Sequence, residues 1–180
     1  MKVANRVAMT AGMISLAWLA GGCAPGPFNV KVFVDETDQE LKDKMGALQS
    51  IEVDLVAVNE TQYQQWEQMK VSDYWEPTNR VRASAPKIVM KFGQGQPKEQ
   101  VLSAKDDIWR KWLDENKANY LFVIAHLWWI TEDSPGNADP RREILPLERG
   151  RWEGSALGNL DIPIKIRAAG LVTLRQPKKD

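Results

Sequence analysis

The sequence predicts a mainly β domain, a β-sandwich of about seven or eight strands with two or three short helices, preceded by a signal peptide. Three observations carry that prediction. Short segments rich in β-branched residues alternate polar and apolar side chains, the period of a half-buried strand. One longer run, residues 120–131 (YLFVIAHLWWIT), is apolar at both parities, as a central strand covered on two sides would be. Clusters of glycine, proline and asparagine separate these segments at short intervals, and the chain contains no internal repeat or low-complexity tract.

The amino terminus comes first. Lys2 and Arg6 precede residues 7–20 (VAMTAGMISLAWLA), fourteen residues without a charge. A permanent span needs about 20 apolar residues to cross roughly 30 Å of hydrocarbon, so this run has the length of a signal peptide. Leu19-Ala20-Gly21-Gly22-Cys23 follows. Small residues fit a peptidase cleft, and the Cys23 thiol is the nucleophile that can carry a thioether-linked diacylglycerol. The five residues resemble the bacterial lipobox, with Ala20 standing where a larger aliphatic is commoner. This divides the chain into a signal peptide at 1–22, a lipidated tether at 23–28 and a single β-sandwich domain at 29–180. Ala24-Pro25-Gly26-Pro27 cannot be helical, because proline lacks the amide proton and biases its predecessor toward extended backbone.

Removing residues 1–22 from 180 leaves 158, enough for one domain that needs no staples. Cys23 is the only cysteine, so no internal disulfide is possible. Cleavage removes Lys2 and Arg6 from 24 basic residues and no acid from 24, a mature balance of 22 against 24, or −2. A near-neutral chain carries no electrostatic footprint for nucleic acid.

Residues 29–34 (NVKVFV) and 50–58 (SIEVDLVAV) alternate as strands, and both are expected at the edges of one β core. Between them, residues 35–49 are highly charged, a loop or a short surface helix, with Leu41, Met45 and Leu48 at helical spacing as a small apolar stripe for a partner groove or for the domain's own sheet. Asn59 with Gln62 forms a capping-box signature for a helix over residues 60–69 that displays Tyr63 and Trp66 on one side. Ser72 is expected to cap a further turn carrying Tyr74 and Trp75, which stops before Pro77. Strands resume at 86–92 and 99–103, with Gly93, Gly95 and Pro97 turning between them. Asp106 opens a helix over 106–117 whose face of Ile108, Trp109, Trp112 and Leu113 should pack on a sheet. Residues 120–131 and 142–147 read as a hairpin closed by the polar stretch 132–139, and residues 161–167 and 171–174 as strands joined at Gly170.

Side chains with chemistry to offer are few. His126, the only histidine, falls within the apolar run and is expected to be a buried core residue; a hydrolase would need it in a cleft beside a carboxylate and a hydroxyl. Asp133, Asn137 and Asp139 carry oxygens on a glycine-containing loop but miss the EF-hand spacing, so a solvated hairpin tip is expected rather than a calcium site. Asp106 and Asp107 suit a helix start. Gly93-Gln94-Gly95 lacks the lysine and helix of a phosphate loop. No cofactor or metal is implied. Seven tryptophans remain after cleavage, most at periodic core positions; Trp75 and Trp152 are the two that could instead stack on glycan or peptidoglycan. Arg141, Arg142, Arg149 and Arg151 bracket one strand, as solvated strand ends or as contacts for lipid phosphate or an acidic partner.

Four features, lipobox Cys23, the strand SIEVDLVAVN followed by YQQWEQ and DYW, the apolar YLFVIAHLWW and the closing NLDIPIKIRAAGLVTL, make residues 28–174 similar to the outer-membrane lipoprotein of the type VI secretion system. The resemblance implies a transthyretin-like β-sandwich without enzymatic activity. It implies lipid anchoring at Cys23 in the outer membrane, facing the periplasm, and a role in anchoring the periplasmic domain of an envelope protein. In that family the connection after the first strand binds the partner. Its counterpart here is residues 35–49, with Glu40, Leu41, Asp43, Lys44 and Met45 as the expected contacts, although this segment is more charged and helix-prone than the family's loop.

Overall fold

A computed structural model describes residues 24–46, 50–152 and 160–178. Among the described residues, eight strands form two four-stranded sheets. The first contains β1 (Asn29–Val34), β4 (Glu99–Leu102), β7 (Asp161–Arg167) and β8 (Gly170–Thr173), in the order β4-β1-β7-β8. In it β1 runs antiparallel to β4, with Val30 opposite Leu102, and parallel to β7, with Asn29 opposite Asp161. The second sheet is wholly antiparallel and joins β3 (Lys87–Phe92), β2 (Ile51–Val58), β5 (Tyr120–Ala125) and β6 (Arg142–Pro146), in the order β3-β2-β5-β6. The expectation of β1 and β2 as edges of one core is therefore corrected: each is an interior strand, and of a different sheet. Alternation reports which faces are buried; it carries no information about how many neighbours a strand has.

Between the sheets, Val30, Val32, Ile162, Ile164 and Ile166 meet Val53, Leu55, Leu121 and Val123, all fully buried. Fully burying such a side chain is worth roughly 1.5–3 kcal/mol, and this layer is the main source of stability. On the outer face of the second sheet, Val56, Val58, Phe122 and Ile124 lie under Trp66 of α2 (Glu60–Gln68) and Val71 and Tyr74 of α3 (Val71–Trp75). That second cover explains why β2 and β5 are apolar at both parities. The expected capping box is present, Asn59 accepting from the Gln62 amide and Gln62 reaching back to the Asn59 amide. Ser72 does not cap its turn, where Lys70 stands at the N-cap without a side-chain bond.

The strand expected over 120–131 stops at Ala125. His126 N makes a last bond to Glu52 O at 2.7 Å, and Leu127 N turns back to Ala125 O at 3.1 Å. Leu127, Trp128, Trp129 and Ile130 then fold over the end of the inter-sheet core as a loop, so their hydrophobicity reflects packing rather than pairing. The helix expected over 106–117 is α5 (Ile108–Arg110), widening into a π turn at Lys111–Glu115, with Trp109 and Trp112 meeting edge to face in the core. Asp106 accepts from the Ile108 amide at 3.0 Å, as a residue at a helix start would. The short helix α4 (Arg80–Ser84), capped by Asn79, has too little apolar periodicity to be visible in the sequence.

Candidate functional site

Strand β1 runs between two ends of the molecule that carry its candidate functional residues. At its amino end the chain arrives already bound to the domain. Gly26 N donates to Leu147 O at 3.0 Å, Pro25 bridges to Glu148, and Phe28 is fully buried against Trp109 and Trp152. Of the expected tether at 23–28, residues 25–28 thus belong to the folded domain, while Cys23 lies outside the described residues. Beside them opens a groove of about 670 Å³ lined by Ala24, Pro25, Tyr63, Tyr120, Glu148 and Arg151, among others.

At the other end of β1 stands α1 (Gln39–Met45), the helix that the 35–49 segment forms. Asp38 fixes both its start and its attachment: one carboxylate oxygen accepts from Leu41 N at 3.0 Å, the other from Ala168 N at 3.0 Å. Those two amide bonds, Ala168 first, hold the Asp38 carboxyl below its ordinary pKa. Leu41 is fully buried, Met45 packs partly on the same core, and Leu48 lies outside the described residues. Leu41 is therefore corrected from a partner contact to a core residue, because the cap at Asp38 orients it inward. Glu40, Asp43 and Lys44 remain exposed, Asp43 accepting from Gln39 Nε2 at 2.9 Å.

The same end holds a cleft of about 390 Å³ whose wall is formed by Trp75, His126 and Trp128. His126 is exposed, not buried in a strand, because the ladder ends one residue before it. Its ring stacks on Trp75 at 4.8 Å between centroids and 22° between planes, and Arg82 lies 4.2 Å from the Trp75 ring centre. Partial burial, aided by Arg82 and Arg141 and opposed by Glu52, lowers the His126 pKa. Ser72 is nearby, but its hydroxyl donates to Asp133 at 2.6 Å, and no hydrogen bond joins the His126 ring to a hydroxyl or carboxylate among the described residues. Ser72 and His126 thus line one cleft without a hydrogen bond between them.

The 132–139 stretch is solvated only in part: Glu132, Pro135, Asn137 and Ala138 are exposed, whereas Gly136 and Asp139 are buried. Arg141, 5% exposed, donates to both oxygens of fully buried Asp139, to Asp133 at 2.6 Å and to the carbonyls of Ile130 and Glu132. Arg142, 3% exposed, donates to the carbonyls of Gly136, Ser134, Trp66 and Met69. Both arginines are thus corrected from strand-end surface charges to interior ties, and Asn137 accepts from Ile144 N at 2.7 Å. Trp152 is 1% exposed, its Nε1 donating to Pro146 O, which removes it from any glycan platform with Trp75. Sequence reasoning missed one further unit on the outer face: buried Asp54 accepts from Tyr74 at 2.8 Å and from Arg82 Nε at 2.9 Å. Asp54, flanked by Val53 and Leu55 in the run IEVDLVAV, was the available signal, since a buried carboxylate requires a partner.

No protein-family model matches the chain, and no curated protein matches it in sequence. Among solved structures it is similar to Lip of Serratia marcescens, a membrane-bound component of the type VI secretion system, with 17% identity, TM-score 0.47 and coverage of 87% of this chain and 100% of that one. It is also similar to the type VI secretion lipoprotein TssJ1 of Pseudomonas aeruginosa, with 8% identity, TM-score 0.45 and coverage of 86% and 99%.

Proposed function

We propose that this chain is a non-enzymatic, lipid-anchored assembly protein of a secretion-type envelope complex. Cys23 carries the lipid, the domain faces the periplasm from the outer membrane, and α1 docks the periplasmic domain of an envelope partner through Glu40, Asp43, Lys44 and the exposed part of Met45. The observation that supports this best is the arrangement along β1. The residues following Cys23 are fixed at one end of the strand, and a charged helix capped by Asp38 projects at the other. A helix whose inner side is held by the core and whose outer side is charged can steer an oppositely patterned partner without disturbing the fold.

The test has two arms. Cys23→Ser should release the domain from membranes or leave an uncleaved precursor; a processed variant that still fractionates with membranes would refute the lipid assignment. Charge reversal by Glu40→Lys with Asp43→Lys should leave the melting curve unchanged and weaken partner recovery from cross-linked membranes, more strongly at low salt, where surface charges are least screened. Recovery equal to wild type would remove α1 from the interface.

A further inference from the structure

Chain geometry limits how far a lipid on Cys23 can stand from the domain. Consecutive Cα atoms are about 3.8 Å apart, so the two peptide units before Pro25 reach at most about 7.6 Å. From Pro25 onward there is no slack. Pro25 bridges to Glu148, Gly26 N is bonded to Leu147 O, and Phe28 is inside the core. Gly26 also lies so close to Arg149 that a Cβ there would come within 2.9 Å of its Cδ. An anchor attached this closely restricts tilt as well as distance.

The surface around this attachment has the composition of a headgroup contact. Glu148, Arg149 and Arg151 follow β6, and Lys178 is brought alongside them by its backbone bond to Arg151 O at 2.7 Å. Tyr63 and Tyr120, with ring centroids 4.4 Å apart, line the adjoining groove, and amphipathic rings of this kind suit the interface between water and hydrocarbon. Glu60 and Glu148 offset part of the positive charge, so the covalent anchor rather than electrostatics must set the contact.

We propose that the end of the sandwich formed by Pro25, residues 148–151 and Lys178 lies against the lipid headgroups of the bilayer that holds Cys23. Strand β1 then points away from the membrane. Its six residues, at about 3.3 Å each, place α1 about 20 Å farther out, where a partner can reach it. This inference rests on the lipidation of Cys23.

The experiment uses the mature lipoprotein, purified in detergent and reconstituted into vesicles of phosphatidylcholine and phosphatidylglycerol that carry a short-range quencher on the headgroup. Cys23 is the only cysteine, and a thioether occupies its sulfur, so Lys178→Cys or Lys44→Cys provides a single site for a fluorophore. Both positions are exposed. The label at 178 should be quenched several-fold more than the label at 44. Equal quenching at the two positions overturns the proposal; an intact mass without lipid overturns the lipidation reading and this inference with it. A flexible Gly/Ser insertion between Cys23 and Ala24 should equalise the two labels without changing the melting curve, and an asymmetry that survives the insertion overturns the role given to the short docked tether.

Discussion

The inter-sheet layer and the arginine-centred interior of the loop over residues 126–141, at Asp139 and Arg141, are both buried, yet they are ordered by opposite means. The first is aliphatic, with Val32, Leu55, Val123 and Ile164 in continuous contact. The second is organised by Arg141 and Arg142, whose guanidinium groups collect carbonyls and carboxylates that would otherwise be stranded away from water. An aliphatic layer loses stability in proportion to the surface removed, and swaps of similar shape are tolerated. A charge-centred loop depends on each partner, because deleting one leaves the other charged and desolvated.

The largest expected effect tests that contrast directly. Arg141→Met should cost about 3–5 kcal/mol in urea unfolding, since fully buried Asp139 loses its counter-ion. Arg141→Lys should fall well short of wild type, because an ammonium cannot reproduce the fork that binds Asp139, Asp133 and two carbonyls together. The matching conservative change in the core, Ile164→Val, should cost only about 0.5–1.5 kcal/mol. If Arg141→Lys proves milder than Ile164→Val, the loop is not charge-centred and the comparison fails.

Acid provides the next test. Burial pushes the Asp139 and Asp133 carboxyls up, but the bonds from Arg141, with those from Ser134 to Asp139 and from Ser72 to Asp133, outweigh it and hold both below the ordinary value. A depressed carboxylate contributes stability that is present above its unfolded pKa, about 3.9, and is lost as pH falls through the folded value. Below about pH 4, amides of the 132–141 stretch should therefore exchange before those of β2 and β5. Simultaneous loss of protection would mean that the loop and the core form one cooperative unit.

Trp128→Ala should cost less than the roughly 3–5 kcal/mol of a fully buried tryptophan, because Trp128 lines the open cleft and is only partly buried. A cost equal to that of Trp112→Ala would place Trp128 energetically with the core. The smallest effect belongs to His126. Burial chiefly holds its pKa below the ordinary 6.5, so the unfolded chain takes up the proton first and stability declines as pH falls through about 6.5. His126→Phe should remove that slope between pH 7 and 5 while keeping a ring against Trp75, and an unchanged slope would assign it to other groups.

The same contrast explains how much could be read from the sequence. Strands β1 and β7 were legible to the residue, and the capping box at Asn59 and the tryptophan pair of α5 and the π turn that continues it were equally plain, because period and capping are local properties. Pairing was not legible: Pro97 and its neighbours turn the chain from one sheet into the other, and nothing in their composition distinguishes that from a hairpin. Arg141 looked like surface because arginine usually is; only the convergence of Asp133, Asp139 and two peptide carbonyls, distributed over a loop, makes its burial favourable. The charged face of α1 was visible, whereas the inward turn of Leu41 depended on the bond from Ala168 to Asp38 across 130 residues.

The parallel pairing of β1 with β7 also governs the order in which the protein can form. Asn29 and Asp161 are hydrogen-bonded neighbours separated by 132 positions, so the first strand synthesised is among the last to be paired. Until residues near 100 appear it has no neighbour on one side, and until residues near 160 appear it has none on the other. Loops of that length make closure of the first sheet slow, and a waiting apolar strand is a template for intermolecular association. The second sheet, whose four strands all lie between residues 51 and 146, can assemble earlier and alone. Folding should therefore end with a late step in which β7 is delivered to a β1 that has waited for most of the chain's synthesis.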